Sequence, residues 1–214
     1  MSRTLLCLIL LLGHSMPARG HELPDGEIER RVQVSVKPDC VLVEYSLGMN
    51  EATLEKELRK HGQKPGDTLS DKWSQYQKIV LPSLAKNMQV TIDGDGQRPK
   101  PLRADYSGWS HRHLLCLFKV DVKLSRKPTT IVVTDRNFLD TPGKYRIAMK
   151  GRSGAKLEKS SVPPTVSRAR PVELSKLSQK KKQTAARAFG QFVSCVRRAQ
   201  KTKSLVEDSQ KSVP

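Results

Sequence analysis

The segment from His113 to Leu124 alternates, placing Leu114, Cys116, Phe118, Val120, Val122 and Leu124 on one side. Its other side passes from Leu115 and Leu117 to Lys119, Asp121 and Lys123. Successive side chains of a strand point to opposite faces, so the pattern predicts a strand with one buried face and a second face running from interior to solvent. Cover on both faces at one end requires neighbours on both sides, which predicts an interior strand of a sheet. Two earlier segments alternate in the same way. Ile28, Val32, Val34 and Val36 share one face, and Val41, Val43, Tyr45 and Leu47 share another. Lys37-Pro38-Asp39 between them supplies a fixed φ and a turn-forming aspartate, so the two segments are expected to close as a hairpin.

The period then changes. Asn50 can cap a helix through Arg59 with Leu54 and Leu58 inward and Gly62 at its end. Leu69, Trp73, Tyr76, Val80 and Leu84 recur at intervals of three and four and predict a second helix from Ser70 or Asp71. Pro82 lies inside that pattern, where the loss of a donor and a clash with the preceding turn predict a kink or a restart. Further strands are expected at 88–93, 99–106, 129–134 and 144–149, with a positive-φ turn at Asp93-Gly94-Asp95-Gly96. The expected fold class is therefore α+β. Residues 21–152 should form a mainly antiparallel β sheet or sandwich with two inserted helices, followed by a C-terminal basic helical extension.

After Gly151 the texture shifts. Pro163, Pro164 and Pro171 among Ser and Arg predict a linker over 153–172. Residues 173–204 read as a basic amphipathic helix in which Ala185, Phe189, Phe192, Val193 and Val196 form a stripe. Lys180, Lys181, Lys182, Arg187, Arg197 and Arg198 flank it, and 205–214 should be disordered.

Charge sharpens this picture. Lys and Arg number 39 against 21 Asp and Glu, a net +18, and residues 151–214 hold 15 of the basic and 4 of the acidic side chains. Such an excess points to nucleic acid, acidic lipid or acidic polymers. The first twenty residues, with Arg3, an apolar run from Leu5 to Leu12 and Met16-Pro17-Ala18-Arg19-Gly20, predict a signal peptide cut before His21. A secreted or periplasmic protein follows, which makes nucleic acid the least favoured partner. An oxidising compartment also makes Cys40 and Cys116 the candidate disulfide pair, with Cys195 left over.

Catalytic patterns are missing. No Gly-x-Ser-x-Gly occurs, no cysteine pair or His-Glu-x-x-His has zinc spacing, and the carboxylates show no readable pairing. The aspartate-rich turn is no calcium loop, since Gln97 and Arg98 stand where a ligand and a glycine would be required, and Ala104 stands in place of the closing glutamate. A nitrogen-rich metal site is the best alternative. The amine and imidazole of a mature His21, with His111 and His113 two apart on one strand, would suit nickel, cobalt or copper.

His21-Glu-Leu-Pro, the hairpin from Arg31 to Leu47, Pro82-Ser-Leu-Ala-Lys-Asn87 and Thr134-Asp-Arg-Asn-Phe138 resemble a known region. It is the β-rich extracytoplasmic segment that precedes the membrane helices of bacterial nickel/cobalt permease-like proteins of the hydrogenase and urease accessory type. The resemblance spans about 21–150 and implies a β-rich domain outside the cytoplasm. Where those proteins continue into membrane helices this chain continues into its basic extension, so no transport activity is implied. The function expected first is a non-catalytic exported binding or structural module without a cofactor. Lys180, Lys181, Lys182, Arg187, Phe189, Phe192, Arg197 and Arg198 would meet a protein partner or an anionic envelope surface. A periplasmic nickel, cobalt or copper chaperone is the second expectation, and an envelope enzyme the third.

Overall fold

The computed structural model describes residues 23–107 and 113–195. In chain order its strands are β1 (Glu29–Val36), β2 (Cys40–Gly48), β3 (Met88–Ile92), β4 (Asp95–Gln97), β5 (Lys100–Ser107) and β6 (His113–Asp121). Then come β7 (Thr129–Asp135), β8 (Lys144–Gly151), β9 (Ala155–Ser160), β10 (Val172–Glu173) and β11 (Arg187–Ser194). The helices are α1 (Glu51–Lys60), α2 (Leu69–Asn87) and α3 (Gln179–Ala185). The larger sheet has the order β10-β8-β1-β2-β6-β5 and the smaller the order β4-β3-β7-β11-β9. The fold is α+β and rich in antiparallel sheet; β1 with β8 is the parallel pairing. Among the described residues no helix is long and apolar enough to cross a membrane.

Local chemistry accounts for several element ends. Asn50 caps α1 by accepting from the Thr53 amide, and Thr68 with Asp71 forms a reciprocal capping box on α2. Asp93 and Gly94 both have positive φ, at 50° and 100°, which the two-residue turn joining β3 to β4 requires. The helix α2 runs unbroken through Pro82 to Asn87, so the expected restart does not occur. Lys72 of α2 reaches Glu51 and Glu55 of α1, at 2.6 Å each, and pins the helices together. Trp73 stacks on Tyr106 of β5 with centroids 5.4 Å apart, which seats α2 on the β5 end of the larger sheet.

The alternation of β6 is realised as expected. Leu114, Cys116, Phe118 and Val120 are buried, Leu115 and Leu117 are half-buried, and the strand lies between β2 and β5. A single core joins the inner faces of both sheets with the inner sides of α1 and α2.

One even position of β1 breaks the apolar pattern: Arg30, fully buried among Ile28, Val32 and Val34. Its guanidinium donates to the carbonyls of Phe138, Thr141 (3.2 Å) and Gly143 (3.0 Å), and lies over the Tyr145 ring at 5.9 Å. A buried charge is tolerated only when it is paired or hydrogen-bonded, and here the 138–143 turn supplies the acceptors. Gly143 has φ 115°, and a Cβ there would come within 2.4 Å of the Ile28 carbonyl oxygen, so the turn requires glycine at that point.

The C-terminal third departs from expectation. The supposed linker contains β9, an edge strand of the smaller sheet, and a 3₁₀ turn at Val166–Arg168. The supposed helix over 173–204 holds a 3₁₀ turn at Leu174–Lys176, the seven-residue α3 and then β11, which lies between β7 and β9. Gly190 disfavours a helix interior, and the alternation Ala188, Gly190, Phe192 against Arg187, Phe189, Gln191 fits a half-buried strand. Residues 155–194 therefore complete the core; they are no appendage.

Two outcomes follow for stability. A chain ending at Lys159 lacks β11, an interior strand carrying Ala188 and the fully buried Phe192, and should show no cooperative thermal unfolding. Val120→Asp should also abolish the transition, since an unpaired buried carboxylate costs several kcal/mol against a total of roughly 5 to 15. Lys119→Asp, on the open face, should shift it only slightly, and equal damage by both variants would contradict the face assignment.

Candidate functional site

The outer face of the smaller sheet carries the most coherent set of exposed polar side chains. Alternation turns Met88 and Val90 of β3, Ile131, Val133 and Asp135 of β7, and Ala188 and Phe192 of β11 into the core. It turns Gln89, Thr134 and Arg187 outward. Register then aligns them: Gln89 pairs with Thr134, and Thr134 pairs with Arg187. Arg98 follows Gln97, whose partner is Val90, so it extends the same row on the far side of β3. Arg136 continues the outward side of β7, and Lys86 and Lys180 stand at the end of α2 and on α3.

This face is hollowed into two adjoining clefts. One, of about 490 Å³, lies between β3, β7, β11 and α3 and exposes Arg136, Lys180 and Arg187. The other, of about 330 Å³, exposes Lys86, Arg98 and Arg136. Gln89 and Arg136 line both, so the clefts adjoin across these two side chains and together form a two-part trough. Among the described residues none of these five cations enters an ion pair. Asp135, the carboxylate among the lining residues, is 1 % exposed and directed to the core.

Asp135 belongs to a buried polar cluster directly behind the trough. One of its oxygens accepts from the Asn137 amide (2.9 Å) and side chain (2.7 Å), and Asn137 also donates to the Leu84 carbonyl of α2 (3.3 Å). The Tyr45 and Tyr145 hydroxyls face the same carboxylate, yet neither reaches it in ordinary hydrogen-bond geometry. Tyr45 Oη, Tyr145 Oη and Asp135 Oδ2 are buried without a well-formed partner. Burial raises the Asp135 carboxyl above the ordinary carboxylate range, against the opposing effects of the Asn137 donors, the Tyr45 hydroxyl and Arg30. Burial, together with Asp135, also holds both tyrosines neutral far above their usual range.

The residues proposed from sequence separate into groups. Lys180 and Arg187 line the trough; Lys181 is exposed beside it. Lys182 is buried and paired with Asp140, so it is a structural cation, and it holds that carboxyl below its usual range. Phe189 is half-buried on the outer face, whereas Phe192 is core. Arg197 and Arg198 lie outside the described residues, as do His21 and His111. His113 begins β6 with its ring over Gly48, where a Cβ would come within 2.1 Å of the imidazole. Among the described residues no group of three or more His, Cys, Asp or Glu is arranged to hold a metal ion.

The expected disulfide is overturned. Cys40 and Cys116 are free and buried, and Cys40 pairs with Asp121 whereas Cys116 pairs with Tyr45, five positions along the same ladder. That spacing is about 16 Å along a strand, far beyond a disulfide's reach. Burial pushes the Cys116 thiol up to about 12 and so keeps it protonated.

No protein-family model matches the chain, and no curated protein matches it significantly. The trough and the buried cluster thus rest on this chain's own geometry. Arg136, Arg98 and Lys86 were missed from the sequence because each is an ordinary surface cation until register places it. Arg30 and Asp135 carried a legible signal, since each occupies a core-facing position of an otherwise apolar alternation.

The cluster sets the sign of a pH effect. A carboxyl raised in the folded state contributes stability below its unfolded value of about 4 and loses that contribution as pH rises through the folded value. Asp135→Asn should therefore be more stable than the parent at pH 7, with the difference shrinking toward pH 4. Chemical denaturation across that range measures it. A gap of opposite sign that widens with pH would show the carboxylate to be stabilised as an anion by Arg30.

Proposed function

We propose that the protein is a non-catalytic binding module, acting outside the cytoplasm, that holds an anionic partner against the outer face of its smaller sheet. The observation that supports this reading is the trough in which Lys86, Arg98, Arg136, Lys180 and Arg187 are gathered without ion-pair partners among the described residues. Elsewhere the chain neutralises many of its cations locally: Lys72, Lys119, Arg146 and Lys182 all pair with carboxylates. An apolar lining of Val132 on β7 and half-buried Leu139 in the turn that follows keeps water away from one side of the cationic groups and strengthens their attraction for an anion. The sequence-based expectation of a basic surface is retained in this form, with its centre moved from a C-terminal helix to a sheet.

Retention on an immobilised anionic matrix tests the reading. Each cation near a charged surface contributes about 1 kcal/mol, so Arg136→Ala with Arg187→Ala should weaken binding about thirtyfold and flatten its salt dependence. Lys64→Ala with Lys78→Ala removes the same net charge from the helical side and should change little. Equal losses from the two pairs would mean that net charge alone governs retention.

A further inference from the structure

Resting on that reading, we infer that the anionic partner is an extended acidic polysaccharide, a chain bearing carboxylate or sulfate groups among hydroxyls, laid across the strands of the smaller sheet. The trough is elongated because two clefts share Gln89 and Arg136, and its cations are spread along it. Arg98 and Arg187 mark the ends of the row through Gln89 and Thr134. Four neighbouring strands at about 4.8 Å spacing separate those ends by about 14 Å, which suits a linear ligand carrying charge at intervals rather than one compact anion.

The groups between the cations decide the chemistry further. Gln89, Gln97, Gln183, Thr134 and Thr184 offer both donors and acceptors, which a hydroxyl-rich backbone can match and a bare phosphate cannot. A bilayer fits poorly. Surface-seeking proteins place large apolar side chains among their cations, whereas among the described residues Leu102, on β5 of the other sheet, is the exposed large hydrophobic. Single-stranded nucleic acid fits poorly as well, because its binders stack successive bases on aromatic rings, and among the described residues the aromatic ring on this face is the half-buried Phe189. The residues that would bind the acidic groups are Arg98, Arg136, Lys180 and Arg187. Gln89 and Gln183 would read the hydroxyls.

Binding of the full chain to an oligogalacturonate of about ten residues, to phosphatidylglycerol vesicles and to an oligothymidylate of matched charge, all at one moderate salt concentration, decides the matter. The oligogalacturonate should bind tightest, with a loss of about thirtyfold in Arg136→Ala/Arg187→Ala. Gln89→Ala/Gln183→Ala should cost about tenfold toward the saccharide, whereas Lys64→Ala/Lys78→Ala, away from the trough, should leave saccharide binding unchanged. Both glutamines are exposed, so an unchanged thermal transition confirms that the variants fold. Tighter binding of vesicles or oligothymidylate, lost in the arginine variant, would overturn the polysaccharide and leave the anionic face standing. Saccharide binding indifferent to the glutamine pair would likewise overturn recognition of the hydroxyls. Failure of all three probes and of the matrix would overturn both.

Discussion

A guanidinium without access to water must find acceptors inside the fold, and Arg30 finds them in the 138–143 turn. Its bonds to Phe138, Thr141 and Gly143 fasten the connection between β7 and β8 to the middle of the larger sheet. The Ile28 amide donates to the Pro142 carbonyl at 2.9 Å, so backbone and side chain secure the same turn. Asp135 and Asn137, at the start of that connection, tie it to the carbonyl of Leu84 on α2. The two sheets and the longest helix therefore meet at one polar junction. A buried polar network of this kind contributes less to total stability than apolar packing, but its directionality admits few alternative arrangements.

That junction also shapes the outer face. Asp135 and Arg136 are adjacent in the chain and point to opposite sides of β7: one into the junction, the other into the trough. Fixing the carboxylate inward fixes the arginine outward, because a slip of one residue would exchange them. Lys182 acts in the same sense from α3. Its bond to Asp140 anchors that helix beside the β7–β8 connection and leaves Lys180 to overhang the trough. The cations available to a ligand are thus held in place by neighbours that are themselves fixed inward, Asp135 by its bonds from Asn137 and Lys182 by its pair with Asp140.

Distribution of charge, more than its amount, distinguishes this surface. A net +18 would give any face of the molecule a positive potential. What the fold adds is a concave floor, a linear order of cations and neutral hydrogen-bonding groups between them. Such a surface favours ligands that present charge at intervals along a stiff backbone, since each contact then forms without costly rearrangement of the protein.

Local periodicity determined a great deal. The hairpin of β1 and β2, the capped α1, the apolar stripe of α2, the Asp93-Gly94 turn and the buried side of β6 follow from side-chain alternation, capping chemistry and residues that tolerate positive φ. These are short-range effects, written within a few residues of where they act. The C-terminal third could not be read this way. The segment from Arg187 to Ser194 belongs to a helical stripe as well as to a half-buried strand, and the open ladder between β7 and β9 decides for the strand. Pairing with distant residues likewise set β8 parallel to β1 and kept Cys40 from Cys116. Only the tertiary structure brought Lys86, Arg98, Arg136, Lys180 and Arg187 to one trough, because a cation at the surface carries no local signature of the neighbours that register will give it.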